Sequence, residues 1–141
     1  ADIASTDLDG NNVFHYACDS GSFEMIKILH SKEININLKN INSQTPLLLA
    51  CRNGSLEIVQ FLINNGANNF PEDKNWSGAM HYASQSGNVM LLDWLVKIVG
   101  HPVSIKNKLN QSPIDIARIF NQTEALQYLS ALLSSEIGKS R

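Results

Sequence analysis

The side chains best suited to attack a substrate, hold a metal or move a proton are His15, His81, Cys18 and Cys51. Imidazole and thiolate are common zinc ligands, and a cysteine nucleophile is usually activated by a nearby imidazole. The spacing argues against both uses. His15 and His81 stand 66 residues apart, Cys18 and Cys51 stand 33 apart, and there is no Cys-x-x-Cys pair. His15 precedes Cys18 by three residues, but no third group is evident to orient the ring. Carboxylates are scattered, and the glycines form no phosphate-cradling loop. The expectation is therefore no catalytic residue, no metal site and no cofactor. His30 and His101 fall between periodic segments and are expected as exposed or locally capping groups.

The distances between the candidate residues are themselves a signal, because they are multiples of one step. Ala17, Ala50, Ala83 and Ala117 recur at steps of 33, 33 and 34 residues. Gly21, Gly54, Gly87 and then Asn121 follow each alanine by four. A period of this length marks a stacked-repeat architecture. Thr45–Ala67 is the most regular copy. Pro46 suits the first turn of a helix, where a missing N–H loses no hydrogen bond. Gly54 stops that helix, Ser55 restarts the chain, and Leu56, Val59, Leu62 and Ile63 line one side of a second helix. Asn65-Gly66 closes it.

The other copies read in the same way. Val13–Ser20 is a short helix ended by Gly21. Ser22 and Glu24 begin a second, whose apolar side is Phe23, Ile26, Ile28 and Leu29, with Met25 near the edge. Ala79–Ser86 ends at Gly87 and precedes Val89, Leu91, Leu92, Leu95 and Val96, with Trp94 as partly buried packing. One extra residue is assigned to the link Val99–Pro102. Ser112-Pro113 opens the last pair, whose second helix starts near Thr123 and runs through Leu133; Ser134–Arg141 is expected to fray. Asn35–Leu38 alternates but suits an extended loop leg rather than a strand. Helices of this length are marginal alone in water and bury only one side. A stack in which each pair covers its neighbour's apolar face resolves both problems. Residues 1–8 are expected either to cover the first pair or to follow further protein. With roughly 10 Å between packed helices, His15 and His81 would lie about 20 Å apart, too far to share a metal.

Residues 9–133 resemble ankyrin repeats. The family pattern is Thr-Pro-Leu-His-x-Ala in the first helix, Gly at its end, and Gly-Ala after the second. The second unit carries Thr45-Pro46-Leu47, Ala50, Gly54 and Gly66-Ala67, with Leu48 in place of histidine. The first and third units keep His15 and His81; the fourth has Ser112-Pro113-Ile114, with Asp115 for His and Asn121 for Gly. Lys32-Glu33-Ile34 replaces Gly-Ala in the first unit, so that connection is expected to differ in shape. The resemblance implies an all-α solenoid of four helix-turn-helix units with projecting β-turns. It forms one domain over 1–141, with units at about 7–38, 40–72, 73–106 and 107–135, cut from a longer protein. It implies that the histidine ties the start of its helix to neighbouring backbone, so that the second unit must rely more on packing. It also implies a non-catalytic protein-interaction domain. The alternative is a regulatory or substrate-recruiting module of an enzyme whose catalytic domain lies outside this chain.

Bulk composition sets outer limits. Apolar residues make up 43% of the chain and the formal net charge is −2. That charge gives no electrostatic reason to expect nucleic acid. No apolar run is long enough to span a membrane. Two cysteines do not make a secreted disulfide framework, so they are expected as packed, reduced helix residues in an intracellular, cytoplasmic protein. The expected partner is a protein or peptide, met by a monomer.

Two surfaces are candidates for that partner. Loops on a rigid scaffold commonly carry binding groups. The turn tips Asp9–Asn11, Asn40–Asn42, Asn75–Ser77 and Lys108–Asn110 present Ile41, Trp76 and Leu109, which together would make an apolar ridge. Trp76 is either an anchor for a partner or a lid over the neighbouring turn. The solvent side of the first helices offers a polar row of Asp19, Arg52, Asn53, Gln85 and Arg118.

Overall fold

The computed structural model describes residues 5–32 and 34–139. Helices follow one another in pairs. α1 (Val13–Ser20) precedes α2 (Phe23–His30), and α3 (Pro46–Asn53) precedes α4 (Leu56–Asn64). α5 (Ala79–Ser86) precedes α6 (Val89–Trp94), which continues as a π-helical turn, Leu95–Val99. α7 (Pro113–Ile119) precedes α8 (Thr123–Lys139). Each pair, with the tip before it, is one unit of the stack.

Local chemistry starts and stops these helices as the repeat predicts. Asn12 caps α1, its side chain accepting from the His15 N–H. Thr45 and Ser112 precede prolines at the first helical position of α3 and α7. Gly54 ends α3 at φ 81°, its N–H donating to the carbonyls of Ala50 and Cys51. Asn121 adopts the same left-handed conformation at φ 56°, so glycine is dispensable there.

The first helices α1, α3, α5 and α7 pack side by side more closely than the second helices do. The buried alanine row, Ala17, Ala50, Ala83 and Ala117, explains this, because a small side chain lets helix axes approach. The first-helix surface is therefore the inner side of the stack. Beneath it a continuous core runs through Phe14, Leu48, Leu62, Leu91, Leu95 and Leu129, all buried. Burial of each such side chain stabilises by about 2 kcal/mol.

The β character of the projecting turns expected from the resemblance is missing, and this part of the fold class is corrected. Among the described residues no β-strand forms, and the only β-type pairing is an isolated bridge between Glu72 and Gly78. The tips are tight turns laid one on the next. The Ile41 N–H donates to the Asp9 carbonyl at 2.9 Å, Lys74 N–H to Asn42 at 3.0 Å, and Lys108 N–H to Asn75 at 2.8 Å. A side chain supplies the acceptor that a partner strand would otherwise provide: Asn40 Oδ1 takes the N–H groups of Asn42 and Gln44. Backbone groups satisfied in this way need no hairpin ladder.

Four smaller expectations also change. Ile28 and Met25 are exposed, because only Ile26 and Leu29 of α2 face α4 and the core. The extra residue of the third unit lies inside the helix rather than in the link after it: the Gly100 N–H donates to Leu95, five residues back, at 2.9 Å. A π turn absorbs one residue more than an α turn. α8 stays helical to Lys139 instead of fraying after Ser134. Residues 5–8 are exposed rather than covering α1, and residues 1–4 lie outside the described part. Glu33, in the connection expected to differ, also lies outside it; its neighbour Ile34 is buried, as Ala67 is one unit later.

Candidate partner-binding surface

The tips are built from one motif used four times. Asp7, Asn40, Asp73 and Asn107 each open a turn, at the same 33, 33 and 34 steps as the alanines. Each side-chain oxygen accepts two backbone N–H groups, two and four residues ahead, at 2.8–3.0 Å. The turn closes with a further backbone bond, as in Ser43 N–H to the Asn40 carbonyl at 2.9 Å. Asn40 and Asn107 also donate to Gln44 and Gln111. The Tyr16 hydroxyl donates to Asp7, and with the Asn11 N–H it pulls the carboxyl down to about 2. Reasoning from sequence places Asn40 at a turn tip but misses the backbone-holding role of all four residues, although their spacing is in plain view.

With the opening side chain committed inward, each turn leaves one large apolar side chain outside. Ile41 is 65% exposed, Trp76 56% and Leu109 65%. Leu8, which the sequence does not single out, is fully exposed at the first tip. The three anticipated residues occupy different places in their turns: Ile41 is second, Leu109 third and Trp76 fourth. The fourth place requires positive φ, and Gly10 fills it in the first unit at φ 80°. Trp76 holds φ 62° there, a conformation that costs a residue with a Cβ roughly 1–2 kcal/mol. The Lys108 ammonium stands 5.0 Å from the centre of its ring.

The polar row on the inner surface is less uniform. Asp19, Arg52 and Asn53 come together: Arg52 Nη2 lies 2.8 Å from Asp19 Oδ1, and Asn53 Nδ2 donates to the Asp19 carbonyl at 3.0 Å. With His15, Tyr16 and Gln44 this pair borders a shallow depression of about 90 Å³. Gln85 and Arg118 do not join them. The Gln85 carbonyl takes the Gln122 amide at 2.7 Å, and Arg118 pairs within its own helix with Asp115 at 3.1 Å.

The groups with catalytic potential are committed elsewhere. His15 Nδ1 accepts from the Asn12 N–H at 3.0 Å, and its Nε2 meets the Gln44 carbonyl at 2.8 Å. His81 repeats this with Gly78 at 3.2 Å and Gln111 at 2.9 Å. His101, expected at the surface, is buried against Phe70 and bonds the Asn69 carbonyl at 2.8 Å. It takes the place of Ala67 one unit earlier, which is why it lies inward. Burial disfavours the imidazolium, so all three histidines titrate below the ordinary 6.5. Cys18 and Cys51 are free, buried thiols. Burial raises both, Cys51 to about 12, so neither offers a thiolate near neutral pH. Among the described residues no group of three His, Cys, Asp or Glu side chains is placed to hold a metal ion, and no helix is long and apolar enough to cross a membrane.

This arrangement is a helical-repeat scaffold that displays side chains from stacked turns and an inner helix row. A family model described as ankyrin repeats, three copies, matches residues 1–73, and the chain belongs to the ankyrin-repeat family. As a member of that family it is a protein–protein interaction module. It is 32% identical over 107 residues to a probable E3 ubiquitin-protein ligase of Oryza sativa subsp. japonica, covering 72% of this chain and 22% of the relative. It is 32% identical over 118 residues to the B-cell lymphoma 3 protein homolog of Mus musculus, covering 83% and 26%. With a probable 26S proteasome regulatory subunit p28 of Saccharomyces cerevisiae it shares 32% over 110 residues, covering 77% and 48%. Further similar proteins of Arabidopsis thaliana also carry the name E3 ubiquitin-protein ligase. The chain thus spans between about a fifth and a half of the length of these relatives.

Proposed function

We propose that this chain is the partner-capturing module of a longer protein, and that it recruits a substrate protein to catalytic machinery outside residues 1–141. The observation that carries the binding half is the tip edge: four successive turns, each opening side chain engaged with its own backbone, each turn leaving one large apolar side chain in solvent. Such side chains gain by burial against a partner. Leu8, Ile41, Trp76 and Leu109 are the anchors in this reading. Asp19, Arg52, Asn53, Gln85 and Arg118 form a polar rim on the inner face. The strained backbone at Trp76 supports an anchor role over a lid role, since glycine would serve the turn better. The recurrence of ubiquitin-ligase names among relatives of which this chain matches only a part supports the recruiting half. The reading carries with it a monomeric module in the cytoplasm.

The test uses the full-length parent. Partners captured from native extract are offered as substrates to the parent protein with intact tips, and to a Trp76→Ser/Ile41→Ser version. Both should keep the same helical content, while capture and modification of the partner fall together in the variant. Modification that continues unchanged without capture would sink the recruiting role. Capture that persists in the variant would sink the assignment to the tips.

A further inference from the structure

We propose that the tips of the second, third and fourth units bind an acidic segment of the partner, interspersed with apolar residues. This rests on the tip-edge reading above and adds the partner's chemistry to it. Lys39, Lys74, Lys106 and Lys108 are all exposed, each one residue from a turn-opening Asn40, Asp73 or Asn107. The ion pairs among the described residues involve Lys27, Arg52, Lys97 and Arg118, and none of these four. Half of the chain's eight lysines therefore stand along one edge with no carboxylate partner among the described residues.

The carboxylates nearby do little to cancel them. Asp73 is turned inward: Oδ1 takes the N–H groups of Asn75 and Ser77, and Oδ2 takes the Tyr82 hydroxyl at 2.6 Å. Glu72 is exposed and is the single outward carboxylate at these three tips. The first tip is opposite in sign, with Asp7 and Asp9 and no lysine. An acidic ligand thus matches the tips of the second, third and fourth units and is repelled at the first, which fixes its placement along the edge.

The apolar groups decide between kinds of anion. Ile41, Trp76 and Leu109 stand one to a turn among the lysines, and the Lys108 ammonium lies over the Trp76 ring, so charge and apolar surface share one spot. Leucine or phenylalanine side chains between carboxylates satisfy both. A nucleic-acid backbone answers the lysines only; an anionic membrane would answer both, and is separated from a peptide by the test below. The chain as a whole has net charge −2, so attraction is confined to this edge.

A phage-displayed random dodecapeptide library panned on the domain tests this. The proposal expects enriched peptides rich in Asp and Glu with interspersed Leu, Phe or Trp. The triple variant Lys74→Glu/Lys106→Glu/Lys108→Glu should weaken their capture about tenfold at low salt, and less at high salt, where screening shortens the reach of charge. Trp76→Ser should weaken it at both. Circular dichroism confirms that the variants fold. Neutral or basic peptides lost on Trp76→Ser would end the acidic-partner proposal and leave the tip edge standing. Peptides indifferent to Trp76→Ser and Ile41→Ser would end the tip-edge reading itself. Failure to enrich any peptide, or tighter capture of polyuridylate or phosphatidylserine vesicles, would overturn the acidic-peptide proposal.

Discussion

The first and third units are fastened differently from the second and fourth. In the former, one buried histidine holds two places at once. Its Nδ1 accepts an N–H at the start of its own helix, and its Nε2 reaches a carbonyl about thirty residues on, just before the next unit's first helix. In the second unit Leu48 fills the same position and is wholly buried, while the Thr45 hydroxyl beside it has no partner. In the fourth, Asp115 keeps only the near tie, its carboxylate taking the N–H and hydroxyl of Ser112 at 3.0 and 3.1 Å. The difference teaches that the tie between units is one solution among several. Packing replaces it inside the stack. A local cap suffices in the last unit, where no further tip follows within the described residues.

Substitutions at these positions sharpen or break the comparison. Leu48→Ala should have the largest effect, about 3–4 kcal/mol by urea unfolding, because it opens a cavity and no polar tie takes over. His81→Ala should cost about 2–3 kcal/mol, since it leaves the Gly78 N–H and Gln111 carbonyl without partners. If packing can replace the tie, His81→Leu should recover roughly half of that loss; no recovery would mean that Leu48 succeeds only in its own surroundings.

Acid separates the unit types in another way. The folded chain resists protonating His15, His81 and His101 below 6.5, whereas the unfolded chain accepts those protons. Their contribution is complete above 6.5 and declines as pH falls through and below it. Denaturation midpoints measured at about pH 7.5 and about pH 5.5 should drop for the parent chain and drop less for His81→Leu. Asp7, held down at about 2, acts in a lower window: its contribution persists above the ordinary 3.8 and fades below it.

The smaller effects probe the two weaker fastenings. Asp115→Ala should cost about 1 kcal/mol, the usual worth of a helix-start cap. Thr45→Val should be neutral within about 0.5 kcal/mol or slightly stabilising, because the lost hydroxyl has no bond to lose. A large loss there would show that Thr45 is satisfied in solution and that the second unit is tied after all.

Much of the fold is legible in the residues. Gly21, Gly54 and Gly87 mark the helix ends, and Asn121 stands in for glycine because it tolerates the left-handed conformation. The family pattern marks His15 and His81 as backbone ties and Leu48 as a departure that needs packing. The candidate site is legible in part. Ile41, Trp76 and Leu109 stand out as large residues in turns and are exposed. Leu8 and the turn-opening Asp7, Asn40, Asp73 and Asn107 do not stand out, because an asparagine in a turn looks the same whether it faces water or holds the backbone. The depth of His101 is hidden as well, because it depends on the π turn before it.

The sequence by itself determined the repeat, its period, the helix ends and the alanine row, since these depend on local geometry and on spacing along the chain. Only the tertiary structure decided how the tips sit. Three backbone bonds between successive turns lay them against one another, and side-chain acceptors remove the need for strands. It also decided which lysines lack partners, because an ion pair is made across space: Arg52 finds Asp19 one unit away, while Lys39, Lys74, Lys106 and Lys108 find no carboxylate among the described residues.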